Sequence, residues 1–141
     1  MRDKIVRILW SSPISMNEAL SSPLAAGKGL YYITQLYGGK EISLYLGQSG
    51  FSIKKRLSSH VEWTQLYRGI LLVRVGKVLY PRNATAEIID HAESAIIYNH
   101  GSIFFENTGK IKSYTYYDLF IIENIGDIHQ IDPIIRMHDQ R

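Results

Sequence analysis

Apolar residues recur along the chain in two rhythms. Residues 29–37 and 42–47 are rich in Tyr, Ile, Leu and Thr, side chains that suit a pleated surface. Gly38-Gly39-Lys40 separates the two runs, which predicts an antiparallel hairpin. Neighbouring side chains of a strand point to opposite faces, so Tyr31 and Ile33 share one face while Leu30 and Tyr32 share the other. In the second run Leu44 and Leu46 are expected on one face and Tyr45 and Gly47 on the opposite one. With the leucines turned to the core, Tyr31 and Tyr45 can share the other face of the hairpin. Residues 5–10 read as a further short strand. The Pro-punctuated stretch after it, through Ser11, Pro13, Ser21, Ser22 and Pro23, is either a connecting loop with one helical turn near Met16 or a lead-in arm.

The second rhythm begins at Ser52, an N-cap candidate. Ile53, Leu57 and Val61 follow at spacing four and predict a helix to about residue 67. Residues 70–75 read as a strand and 77–83 as a loop. Thr85 is a second N-cap candidate, with Glu87 placed where a carboxylate suits the helix dipole. That helix should run to about residue 98 and stop near Asn99-His100-Gly101. Asn107-Thr108-Gly109 reads as a turn, and residues 116–123 as a last strand. The sum is an α+β fold, a small, mainly antiparallel β-sheet of three or more strands flanked by helices. The 141 residues fit one domain. Its parts are an N-terminal strand and arm (1–28), a core (29–109), and a C-terminal strand and tail (110–141) packed on the same domain.

Composition narrows the chemistry. The chain has no cysteine, which excludes disulfides, thiolate nucleophiles and Cys-based zinc sites. The longest aliphatic run, residues 70–73, is far below a membrane span, and no secretory signal fits the first residues. A cytoplasmic protein is the expectation. The net charge of +3 is uneven: residues 50–82 hold seven Lys/Arg against Glu62 alone, whereas 83–141 hold four basic and nine acidic residues. Such a segment can face a polyanion, although a solvated helix face gives the same counts.

Three placements exceed what packing requires. At 100° per residue from Ala86, Glu93 falls at about 340°, inside the arc of Ile89, Ile96 and Ile97. A carboxylate there is costly unless paired, protonated or bound to a cation. Arg56 and His60, four apart, should stack on one helix face beside the apolar stripe, with room for an anion between them. The third placement is the Tyr31/Tyr45 pair, with Gly47 permitting close backbone approach. His91, His100, His129 and His138 show no ligand spacing.

In this order the residues resemble the GIY-YIG nuclease family. Gly29-Leu30-Tyr31 stands at its first motif and Tyr45-Leu46-Gly47 at its second, each with Leu where Ile is usual. Thirteen residues separate Tyr31 from Tyr45, a few more than is common, which implies a longer hairpin. Arg56 and His60 match the helix-borne Arg and the following His or Tyr. Glu93 matches the metal-binding Glu of a later helix, and Asn107 the downstream Asn. The resemblance implies a metal-dependent DNA endonuclease. Glu93 would hold one Mg²⁺ or Mn²⁺, Arg56 would stabilise the phosphate, and Tyr31 would be the general base. Tyr45 would bind the phosphate or order the water, His60 would relay a proton or orient Tyr31, and Gly47 would leave room for the DNA backbone. Gly29 and Asn107 would be structural supports, Asn107 as a clamp on the loop after the Glu93 helix. Lys54, Lys55, Arg68, Arg74 and Lys77 would then track DNA phosphates.

A restriction, defence, repair or recombination role fits such an enzyme. Cutting both strands would favour a homodimer, since one small centre cuts one strand at a time. No membrane and no small-molecule cofactor is expected. The competing functions are a non-catalytic nucleic-acid-binding module of the same fold, and an RNase-type toxin.

Overall fold

The computed structural model describes residues 4–104, 106–107 and 120–137. Along them run β1 (Lys4–Trp10), β2 (Ile14–Ser15), α1 (Met16–Ala19), β3 (Gly29–Tyr37), β4 (Lys40–Ser49), α2 (Ile53–Ser58), α3 (Val61–Thr64), β5 (Ile70–Tyr80), α4 (Ala86–His100), β6 (Phe120–Gly126) and β7 (Ile134–Met137). The architecture is mixed α/β, with a curled, mainly antiparallel sheet and few helices. Strand order is β4-β3-β5-β1-β6-β7, with β2 added to β5. Among the described residues only β1 and β6 run parallel.

The hairpin follows from its glycines. Gly38 and Gly39 take φ of 61° and 77°, and Tyr37 pairs with Lys40, so two residues close a type I′ turn. Tyr31 lies directly across from Gly47. The register slips once: Ile33 faces Tyr45, but Thr34 faces Ser43, which leaves Leu44 as a bulged residue. Leu44 therefore packs on the side of Tyr31 and Ile33, and Leu46 on the other. Strict alternation misplaces Leu44 because the bulge resets the faces.

The continuous helix expected after Ser52 is broken. Ser52 caps α2 by accepting from the Lys55 N–H. The helix stops at Ser58, where the hydroxyls of Ser58 and Ser59 bond back to the carbonyls of Lys55 and Arg56. His60 then lies at the start of α3 and not on α2, so Arg56 and His60 do not stack along one helix. β5 is longer than predicted and absorbs residues 77–80, which pair with β1 instead of forming a loop. Thr85 caps α4 by accepting from Ile88 N–H, and the helix continues through His100 to Gly101, at φ 61°. The last predicted strand is observed from Phe120 to Gly126. Its expected start at 116–119 lies outside the described residues, as do Thr108 and Gly109 of the predicted turn. β7 had no signal in the sequence that distinguished it from a tail.

Helices cover both faces of the β3–β4 half of the sheet, and two apolar clusters result. Leu30, Tyr32 and Leu46 pack with Trp10 against Ile89, Ala92 and Ile96 of α4. Tyr31, Ile33 and Leu44 pack against Met16 of α1 and Ile53 and Leu57 of α2. β1 sits inside the sheet, between β5 and β6. No helix among the described residues is long and apolar enough to cross a membrane.

Candidate functional site

β3, β4, α2, the α2–α3 junction and α4 each bring one polar side chain to the same place. Tyr31 is fully buried and Tyr45 half-buried, and their rings stack with centroids 6.0 Å apart at 27°. Gly47 is what allows this, since a Cβ there would overlap the Tyr31 ring. The space beside Gly47 thus belongs to Tyr31 and not to a DNA backbone, which corrects the expected role. Gly29, at φ 150°, is held between strands: its Cβ would come 2.6 Å from the Gly76 carbonyl oxygen.

Hydrogen-bond directions in the cluster follow from one donor-only group. The indole N–H of Trp63 donates to His60 Nδ1 at 2.9 Å. A neutral His60 must then carry its proton on Nε2, which lies 2.8 Å from the Tyr31 hydroxyl oxygen and donates to it. The Tyr45 phenol stands beside Tyr31, close enough for the two groups to influence each other's ionisation. His60 is neutral above about pH 4, because burial and then the Arg56 charge push its pKa down to that value. Its lone pair is already occupied by Trp63, so His60 orients Tyr31 and has no acceptor site turned toward it. Of the two roles expected for His60, this geometry suits orientation of Tyr31.

Arg56, exposed on α2, lies within electrostatic reach of both phenols. Burial raises the pKa of Tyr31 well above its ordinary value, the Tyr45 phenol adds to the rise, and Arg56 opposes it. Tyr45 is also raised, by burial first and by the Glu93 carboxylate second. Glu93 is 6% exposed among the isoleucines of α4 and within electrostatic reach of both phenols and of Arg56. The helical-wheel expectation for Glu93, a carboxylate inside the apolar arc, describes this placement.

Among the described residues no three His, Cys, Asp or Glu side chains gather as a metal cage. A hard cation such as Mg²⁺ does not need one: it binds through one or two carboxylates and keeps several waters. Glu93, a buried carboxylate within electrostatic reach of both phenols, fits that donor set.

The remaining sequence candidates divide. Asn107 is a clamp: its side chain accepts from Leu46 N–H at 2.8 Å and donates to Leu46 C=O at 2.9 Å, satisfying the outer edge of β4. Lys54 and Lys55 are exposed on α2 beside Arg56, and Arg68 is exposed before β5. Lys77 is exposed on β5, where with Lys28 it borders a cavity of about 330 Å³ that includes none of the cluster residues. Arg74 is 3% exposed, and its guanidinium is bonded to Glu41 and Asp127. It cannot track phosphates, because two carboxylates already neutralise it inside the protein.

Two contributors were missed in the sequence. Trp63 selects the His60 tautomer, and its only signal was the spacing of three from His60. Glu106 accepts from the Tyr67 hydroxyl, pushing its pKa up to about 12 and tying the end of the α3 segment to the Asn107 loop. Searches of known protein families, curated proteins and solved structures find no match to the chain.

Proposed function

We propose that the chain is a metal-dependent DNA endonuclease of the GIY-YIG type, with Tyr45, Tyr31, Arg56, His60 and Glu93 as its active centre. The observation that carries this is the meeting of two phenols, a guanidinium, an imidazole and a buried carboxylate from five segments distant in sequence. Packing alone has no use for that set, and phosphodiester hydrolysis uses every member.

The reaction needs a deprotonated water, countercharge on the phosphate and a proton for the leaving oxygen. Arg56 meets the phosphate, being the exposed cation at the edge of the cluster. Tyr45 is the phenol that water can reach, since Tyr31 is fully buried behind it. This moves the general-base role first expected of Tyr31 to Tyr45. Tyr45 acts as base only as the phenolate, so its own proton must first pass to solvent. Arg56 and a cation would favour that phenolate, which then takes a proton from the attacking water and is a phenol again. His60 and Trp63 hold the Tyr31 hydroxyl in place beside Tyr45. Glu93 would hold the divalent cation, which would supply countercharge to the phosphate and make water easier to deprotonate. Lys54 and Lys55 add phosphate contacts that are salt-sensitive and blind to base sequence.

The test is incubation of the purified protein with supercoiled plasmid, and separately with RNA, in Mg²⁺ or Mn²⁺, with and without EDTA, beside Glu93→Gln. The expected result is nicking or linearisation of the plasmid that requires metal and is lost in the variant. Binding without cleavage by the wild-type protein would overturn the proposal in favour of a binding module. Cleavage confined to RNA would point to the toxin alternative.

A further inference from the structure

Among the described residues, the half of the sheet formed by β1, β6 and β7 carries an α-helix on one side only. Val6, Ile8 and Trp10 of β1, with Ile122 and Ile135, point into the α4 core. Their alternates point the other way, onto a face that no α-helix among the described residues covers; at its Leu9 end the Pro23–Ala25 turn and Lys28 line a cavity with Leu9 and Lys77. That face is apolar for a surface: Ile5, Leu9, Tyr80, Ile125 and Ile134 are each between 38% and 55% exposed. An apolar area spread over adjacent strands marks an interaction surface more often than scattered single residues do.

Strand register arranges the face in rows. Leu9 lies beside Ile125, Arg7 beside Glu123, and Ile5 beside Ile121. In the middle row Tyr80 extends the line on β5 and Ile134 extends it on β7. Arg7 and Glu123 form an ion pair at 2.7 Å in the centre. Lys77, beside Leu9, and Arg136, beside Ile121, stand at opposite outer corners.

We propose that this face binds a second copy of the chain. A two-fold axis running along the strand direction, between β1 and β6, lays each row on itself with its ends exchanged. Leu9 then meets Ile125 of the other copy, Ile5 meets Ile121, and Tyr80 meets Ile134. Arg7 of each copy meets Glu123 of the other, and the two corner cations stay on the rim. Apolar groups oppose apolar groups and the central charges oppose their complements, which is the condition for an isologous interface. Stacked sheets of this kind cross at about 30°, which keeps the central rows together. β3 and β5 separate β1 from β4 in the sheet, so the pair leaves the Tyr45–Arg56 cluster of each copy outside the interface. The proposal is independent of the nuclease assignment.

Sedimentation or light scattering of the wild-type protein should report the mass of two chains. Leu9→Glu with Ile125→Glu should give one chain with an unchanged circular dichroism spectrum, because both positions are exposed. Arg7→Glu alone and Glu123→Arg alone should each dissociate, since each places like charges across the axis twice. An equimolar mixture of those two variants should recover the two-chain mass, because every contact across the axis then pairs Glu with Arg. A monomeric wild type, a dimer that survives the apolar double variant, or a mixture that stays monomeric would overturn the proposal.

Discussion

Arg56 and Arg74 belong to the same basic stretch, yet they are put to opposite uses. Arg74 is sealed between β3, β4 and the segment after β6, bonded to Glu41 and Asp127. Arg56 projects from a two-turn helix into solvent, with two phenols and the Glu93 carboxylate within electrostatic reach. One guanidinium has been neutralised by the protein; the other keeps a surface from which to meet an external anion. A charge count along the sequence treats them alike. The difference lies in which carboxylates the fold brings to each.

The largest effect expected from this contrast is on stability. Arg74→Ala leaves Glu41 and Asp127 without their cation and should cost about 3–5 kcal/mol, seen as a lowered denaturant midpoint. Arg56→Ala, at an exposed site, should shift that midpoint little and instead reduce plasmid cleavage by about 10²–10³-fold, the range for losing a transition-state donor. Equal stability losses in the two variants would erase the distinction.

Gly47→Ala probes the phenol side of the cluster. The new methyl overlaps the Tyr31 ring and should cost about 1–3 kcal/mol, with loss of cleavage as Tyr31 leaves its place under Tyr45. Proton linkage supplies a smaller signal. His60 binds a proton near pH 6.5 when unfolded but only near 4 when folded. The unfolded chain therefore holds more protons in that window, and stability should fall as pH drops from about 6.5 to 4. His60→Gln keeps a donor and an acceptor without titrating, so its stability curve should be flatter there. A wild type and variant with parallel curves would exclude the neutral, Trp63-bonded imidazole. The smallest effect is that of Lys55→Ala, which should lower the salt slope of DNA binding by about 0.9 and leave the cleavage rate of bound DNA unchanged.

Much of the framework was legible in the sequence. Ser52 and Thr85 cap helices, Gly38 and Gly39 close a hairpin, and Glu93 lies in an apolar arc, because each depends on residues within a turn or two of one another. The errors have long-range causes. The bulge at Leu44 depends on how β4 settles against β3, and the reach of β5 through Tyr80 on its pairing with β1. Arg74 looked like a surface cation because its partners, Glu41 and Asp127, are remote in the chain. Trp63 was passed over because choosing an imidazole tautomer requires knowing what stands at the other ring nitrogen.

By itself, then, the amino-acid order determined local conformation and a short set of chemically costly residues, since capping, turn and periodicity preferences act over a few residues. Only the tertiary structure decided which of those residues meet. It put Tyr31 behind Tyr45, gave Gly47 to the Tyr31 ring, aimed His60 by way of Trp63, and turned Arg74 inward. Burial and hydrogen-bond direction, which set the chemistry of every one of these groups, are properties of neighbours that the chain acquires only by folding.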